Sequence, residues 1–200
     1  MPSWDDRYTA SRNLFGDDPS PLLLEFRSHL SPGMTALAIG DGEGRNGVWL
    51  AQQGLDVLAI DLSAVALERA RQRAHTAGVP LRTLRTDILA WEWPEAAFDL
   101  VTLIFVHLPS AQKRQLHQAI RRALKPGGLI MLEVFHRDQI HCGSGGPADP
   151  DLMYALDEIV ADFAGLETLK CARVETGVML DGKPRGKGIA VHFVARRPPG

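Results

Sequence analysis

Apolar residues recur along this chain in short runs separated by stretches of helical spacing. The runs are Thr35–Ile39, Val57–Ile60, the weaker Leu81–Arg85, Leu100–Phe105 and Leu129–Phe135. Runs unbroken by alternating polar residues, such as Leu100–Phe105, predict strands buried on both faces of a parallel sheet. Ser20-Pro21 reads as an N-cap with proline in the first turn, opening a helix through Leu30 that Pro32-Gly33 ends. The cluster GDGEGRNG leads into a helix carrying Val48, Trp49, Leu50 and Ala51 and stopped at Gly54. Ser63 caps a helix through Ala77, with Gly78 as its stop. Ser110 caps another, whose apolar positions Leu116, Ala119, Ile120, Ala123 and Leu124 have helical periodicity, until Lys125-Pro126-Gly127-Gly128 breaks it. Asp149-Pro150 opens a last helix with Leu152, Leu156, Ile159, Val160 and Phe163 on one face. Two strand-like runs, Leu169–Val174 and Ile189–Val194, follow, with DGKPRGKG between them as a hairpin connection.

Five β–α alternations and a closing hairpin specify an α/β fold: a doubly wound, mostly parallel sheet with helices on both faces and an antiparallel hairpin on one edge. The 200 residues make one domain, a helical cap segment over 1–33 and an α/β core over 34–200. Hydrophobic residues at 45% and charged residues at 23% have the balance of a globular protein. A net charge of −2 supplies no field to draw the chain to nucleic acid or an anionic membrane. Lys183, Arg185 and Lys187 lie in turn sequence and Arg196-Arg197 at the tail, where they read as solvated. Cys142 and Cys171 are far apart and lack CxxC spacing, which points to a reducing compartment. No apolar stretch reaches bilayer length, and the MPSWDDRY opening is acidic where a signal peptide would be basic; the expectation is a cytoplasmic protein.

The segment TALAIGDGEGRNGVWLA carries the chemistry. A strand entering a glycine turn and then a helix gathers backbone N–H groups and the positive helix end at one point, which suits a nucleotide-like ligand. Two patterns fit at once. Gly42 to Gly47 is GxGxxG, and Asp61 follows at the distance of the acidic residue in the NAD fingerprint. Gly40, Gly42 and Gly44 also form GxGxG, the pattern of methyltransferases that use S-adenosylmethionine (SAM). Context separates the two. The chain has no room for a second mononucleotide half and a substrate domain, and a second carboxylate, Asp87 in TDIL, follows the third strand.

AIGDGEGRN, VLAIDLS, TDIL, FDLVTLIFVHLP, LKPGG and the final hairpin together resemble the seven-stranded (class I, Rossmann-like) SAM-dependent methyltransferases over nearly the whole chain. WDDRY followed by GEGRN looks most like a small bacterial branch related to tellurite-resistance methyltransferases. The resemblance implies strand order 3-2-1-4-5-7-6. It places Gly40, Gly42 and Gly44 against the methionine moiety of SAM, with Asn46 beside them, and Asp61 on the ribose hydroxyls. Leu62 and Ile88 would pack on adenine, and Asp87 would accept from its amino group. The acidic residue usual two places before the first glycine is here Ala38, so Asp41 or Glu43 is expected to hold the SAM ammonium group instead.

Methyl transfer from a sulfonium needs alignment and a dry pocket more than acid–base groups, and an anionic acceptor has no proton to lose. His107, just past the fourth strand, reads either as a base or SAM contact or as a strand-end histidine bonded to backbone. His136 is a weaker acceptor-side candidate at the same edge, and with His141-Cys142 it lacks further ligands at metal spacing. Arg7 is expected to meet the SAM carboxylate and Tyr8 to wall the acceptor pocket. The sequence therefore reads as a methyltransferase acting on a small acceptor (metalloid oxyanion, thiol or other small metabolite), giving S-adenosylhomocysteine. It would work as a monomer or weak homodimer, without metal, nucleic acid or membrane. The alternatives are an NAD(P)-dependent oxidoreductase and a non-catalytic SAM-binding module.

Overall fold

The computed structural model describes residues 3–200. Seven strands form one sheet in the order β3-β2-β1-β4-β5-β7-β6. These are β1 (Thr35–Ile39), β2 (Asp56–Asp61), β3 (Arg82–Arg85), β4 (Phe98–Ile104), β5 (Leu124–Phe135), β6 (Glu167–Leu180) and β7 (Lys183–Arg196). The first five are parallel, and β7 runs antiparallel to both β5 and β6. The expected order and the antiparallel edge are both present. The helices are α1 (Trp4–Ala10), α2 (Pro21–Glu25), α3 (Arg45–Gln52), α4 (Ala64–Ala77), α5 (Ser110–Ala123) and α6 (Leu156–Asp162). Leu116, Ile120 and Ala123 of α5 and Ile159 of α6 bury against Val101, Leu103, Ile130, Leu132 and Phe193 on one sheet face. Leu22 and Leu23 of α2 and Leu50 of α3 cover Ala36, Ala38, Leu100 and Met131 on the other. Each large apolar side chain buried this way contributes about 1.5–3 kcal/mol, which holds α5 in place despite its polar outer face.

Three departures from the sequence expectation have local causes. The last helix is split: a 3-10 turn, Pro150–Leu152, precedes α6 because Tyr154 is drawn out to bridge His136 in extended conformation. The Tyr154 N–H donates to the Phe135 carbonyl, and the Tyr154 carbonyl accepts from Arg137 N–H. The closing hairpin is longer than expected. Asp181 and Gly182, at φ of 55° and 67°, make a two-residue turn, so Lys183–Gly188 is strand rather than loop. Finally, the helical cap segment expected over 1–33 contains α1, whose bounds the sequence pattern did not give and which a reciprocal capping box of Ser3 and Asp6 nucleates.

Candidate cofactor and acceptor site

The parallel strands all deliver their C-terminal ends to one edge, where open α/β sheets bind ligands. There β1 turns through Gly40, Gly42 and Gly44, at φ of 59°, 58° and 83°, a region costly for any residue with a Cβ. The protein's own packing needs these glycines too. A Cβ on Gly40 would lie 2.5 Å from Val106 Cγ2, one on Gly44 2.9 Å from Ala70 Cβ, and one on Gly42 would run into the Tyr8 hydroxyl. Gly44 is thus turned to α4, and Gly42 lies under Tyr8. As N-cap of α3, Gly44 has no side chain to offer the helix. Asp41 takes that place, its carboxylate oxygens accepting from the Gly47 N–H at 3.0 and 3.2 Å. Burial pushes Asp41 up to about 7 against the pull of that N–H, and the Asp61 charge adds to the rise.

Asp61 closes β2. Its Oδ2 accepts from Gly42 N–H at 2.9 Å and its Oδ1 from Ser63 N–H at 2.8 Å, so the carboxylate is fixed between the glycine turn and the start of α4. Burial raises its pKa, and the N–H donors of Ser63, Gly42 and Leu62 oppose the rise. Leu62 beside it is 53% exposed, an apolar side chain left open at the ligand edge. In the loop after the adjacent strand β3, Asp87 Oδ1 accepts from Leu89 N–H at 2.9 Å, and Ile88 is half-buried. The Thr86 N–H donates to the Asp61 carbonyl at 3.1 Å, which sets the two loops side by side. Two carboxylates flanking exposed and half-buried aliphatic side chains fit a nucleoside: diol, ring face and exocyclic amine.

The polar residues of GEGRN face the protein instead. Glu43 accepts from Asn13 N–H at 3.1 Å and Leu14 N–H at 2.8 Å and pairs with Arg69 at 2.8 Å. Arg45 donates to the Asp18 carbonyl at 3.0 Å, and Asn46 Oδ1 accepts from Ser20 N–H at 2.9 Å. Asp41 and Glu43, the carboxylates expected to stand in for the acid missing at Ala38, therefore both carry hydrogen bonds within the protein. Asn46 likewise spends its acceptor on the cap segment. The Arg7 guanidinium lies over the Trp4 ring, 4.3 Å from its centroid. Tyr8 is buried, and burial together with Asp61, Glu43 and Asp41 raises its pKa, which keeps the hydroxyl neutral.

At the same sheet edge, Phe105 takes φ of 54°, an uncommon conformation for an aromatic residue, directly after β4. His107 Nε2 accepts from the Phe135 N–H at 3.2 Å, and its ring stacks on Phe135 at 5.4 Å. Burial lowers its pKa to about 4. In this geometry Nε2 is bonded to backbone, the contact that the strand-end reading expects. His136 Nδ1 accepts from Asp138 N–H at 3.1 Å and caps a short 3-10 turn. The sequence reading missed Glu133, fully buried in β5, which accepts from the Ser20 and Thr176 hydroxyls and stands 3.2 Å from His192 Nε2. Its signal was a lone acid inside the apolar run LIMLEVF. Buried Lys113 was missed as well; it donates to the Met153 carbonyl at 2.7 Å and covers the Tyr154 ring.

A family model described as a methyltransferase domain matches residues 36–128. An uncharacterized methyltransferase of Synechocystis is 38% identical over 132 residues, covering 64% of this chain and 59% of that protein. The chain spans about half the length of the curated relatives it matches. Among solved structures, a protein studied in echinomycin biosynthesis, for conversion of a disulfide bond into a thioacetal group, aligns with TM-score 0.81 at 21% identity. That alignment covers 98% of this chain and 90% of the other. A SAM-dependent methyltransferase of Methanosarcina mazei aligns with TM-score 0.71 at 17% identity, over 92% and 100% of the two chains. TehB of Haemophilus influenzae aligns with TM-score 0.75 at 18% identity, over 96% and 66%. The fold is that of the SAM-dependent methyltransferases. It differs from the dinucleotide-binding order 3-2-1-4-5-6, because β7 inserts antiparallel between β5 and β6.

Proposed function

We propose that this chain is a SAM-dependent methyltransferase acting on a small acceptor. The observation that carries the reading is Asp61, held by Gly42 and Ser63 N–H groups beside the exposed Leu62. In this reading Gly40 and Gly42 border the methionine moiety, Asp61 takes the ribose hydroxyls and Leu62 and Ile88 pack on adenine. Asp87 accepts from the adenine amine and Arg7 reaches the carboxylate. SAM supplies the methyl group as an activated sulfonium. The chain's own part is alignment and exclusion of water, which together are worth about 7–11 kcal/mol of barrier in well-aligned systems. Tyr8 presents a neutral hydroxyl above Gly42 and walls the acceptor side. With the Nε2 of His107 occupied, no side chain is assigned as base. That favours an acceptor without a proton to lose, such as a thiolate or metalloid oxyanion, in keeping with the WDDRY and GEGRN likeness to the tellurite-resistance branch. Calorimetry with S-adenosylhomocysteine and, separately, NADH tests the cofactor. Binding of the first, lost in Asp61→Ala, supports the reading, and binding of NADH alone refutes it. Transfer of labelled methyl from SAM to a panel of thiols and oxyanions then tests catalysis.

A further inference from the structure

The polar residues of the glycine-rich turn close a loop of contacts that returns to the turn itself. Glu43, with a side chain 8% exposed, holds the backbone of Asn13 and Leu14 through both carboxylate oxygens. Its partner Arg69 also donates to the Ser11 carbonyl at 2.7 Å, so residues 11–14 are gripped at three backbone atoms. Leu14 is buried in one cluster with Tyr8, Ala66 and Phe15, and the Phe15 ring meets Tyr8 edge-on at 6.5 Å. Tyr8 in turn sets its hydroxyl on Gly42, the residue before Glu43. The segment is anchored elsewhere by Asp5 on Ser63, Asp17 on Arg73, and Ser20 on Asn46 and Glu133. None of the Glu43 contacts belongs to the two large sheet-face clusters. The grip is therefore not what holds the core together. What it fixes is where the Tyr8 ring lies above the turn.

We propose that Glu43 is a positioning residue that acts through residues 13–15 to hold Tyr8 over the ligand-binding backbone. This rests on the cofactor site proposed above. The test is a double-mutant cycle on S-adenosylhomocysteine affinity with Glu43→Gln, Tyr8→Ala and the pair. Glu43→Gln keeps the shape of the side chain but puts an amide donor against one of the two N–H groups. It should weaken binding by about tenfold, the scale of one lost charge-assisted hydrogen bond. In the Tyr8→Ala background the same change should have no further effect. A double variant whose loss is the product of the two single losses overturns the proposal, as does an unchanged affinity in Glu43→Gln. Glu43→Asp, which keeps the charge on a shorter arm, should fall between parent and Gln. A second readout needs no ligand: trypsin cleavage at Arg7 and Arg12 should quicken in Glu43→Gln while the thermal midpoint of the core stays within a few degrees. Equal cleavage rates in parent and variant also overturn the proposal. If the parent chain fails to bind S-adenosylhomocysteine, the cofactor assignment falls, and the cleavage rates still decide whether Glu43 holds the segment.

Discussion

Asp41 offers the sharpest quantitative test of how the glycine turn is built. It is 7% exposed, accepts from one N–H group and shares its neighbourhood with Asp61. Its pKa rises from 3.8 to about 7, a folded state that prefers the proton. A carboxyl raised in this way stabilises the fold fully below the unfolded pKa, and the contribution is lost as pH rises through the folded value. About 3 units at about 1.4 kcal/mol each amounts to roughly 4 kcal/mol lost by pH 8, and about half of that by pH 5. Asp41→Asn removes the ionisation, and its amide oxygen can still accept from Gly47 N–H. The variant gives up about 0.5–1 kcal/mol of charge–dipole attraction at the start of α3. Urea unfolding of parent and variant at pH 5 and pH 8 reads the result. Asp41→Asn should be the more stable protein at pH 8 by a few kcal/mol, and the gap should shrink by about 2 kcal/mol at pH 5. Stabilities that move in parallel between the two pH values would refute a buried, proton-preferring Asp41.

Other substitutions probe other parts of the site. Asp61→Asn should weaken S-adenosylhomocysteine by at least tenfold in calorimetry and lower the thermal midpoint by a few degrees, because the amide can keep only one of the two N–H bonds and loses the charge. Gly44→Ala drives a methyl to 2.9 Å from Ala70 Cβ and 3.0 Å from its Cα at φ of 83°, and should cost about 2–4 kcal/mol in denaturant unfolding. His107 has a folded pKa below its unfolded 6.5, so its contribution is complete above pH 6.5 and fades as pH falls towards 4. His107→Gln should flatten that part of the stability profile. The same residue should leave no ionisation near pH 6.5 in the profile of kcat/KM, and a limb there that His107→Gln abolishes would restore it as a base.

The sheet was legible because its strands are apolar runs bounded by turn residues, and the GxGxG turn, Asp61 and Asp87 all fall where expected, at the C-terminal ends of the first three strands. What was hidden depended on tertiary pairing. The spacing of Leu152, Leu156 and Ile159 is helical, yet Tyr154 gains more from bridging His136 at the end of β5 than from continuing a helix. Lys183–Gly188 reads as loop because it is glycine-rich and basic, but the Asp181-Gly182 turn comes first and returns those residues to pairing with β6. Glu133 stood in plain view in LIMLEVF, and its hydroxyl partners Ser20 and Thr176 lie far away along the chain.

The least legible feature was which side of the glycine turn does what. In a turn of this kind the backbone N–H groups and the side chains point in different directions. Here Gly42 N–H goes to Asp61, whereas Asp41 caps α3, Glu43 and Asn46 hold the cap segment, and Gly44 makes room for α4. Glu43, Arg45 and Asn46 therefore fix the geometry of the cap relative to the turn, Asp41 fixes the start of α3, and the glycine positions let those packed surfaces meet. It follows that substitutions at Glu43 and Asn46 should alter how the cap sits on a ligand, while substitutions at Asp61 should alter whether the ligand is held at all. A chain in which Asn46→Ala and Asp61→Ala lowered affinity through the same atom on the ligand would contradict that division, and competition with adenosine, which lacks the methionine moiety, separates the two. Adenosine affinity should fall in Asp61→Ala and stay level in Asn46→Ala.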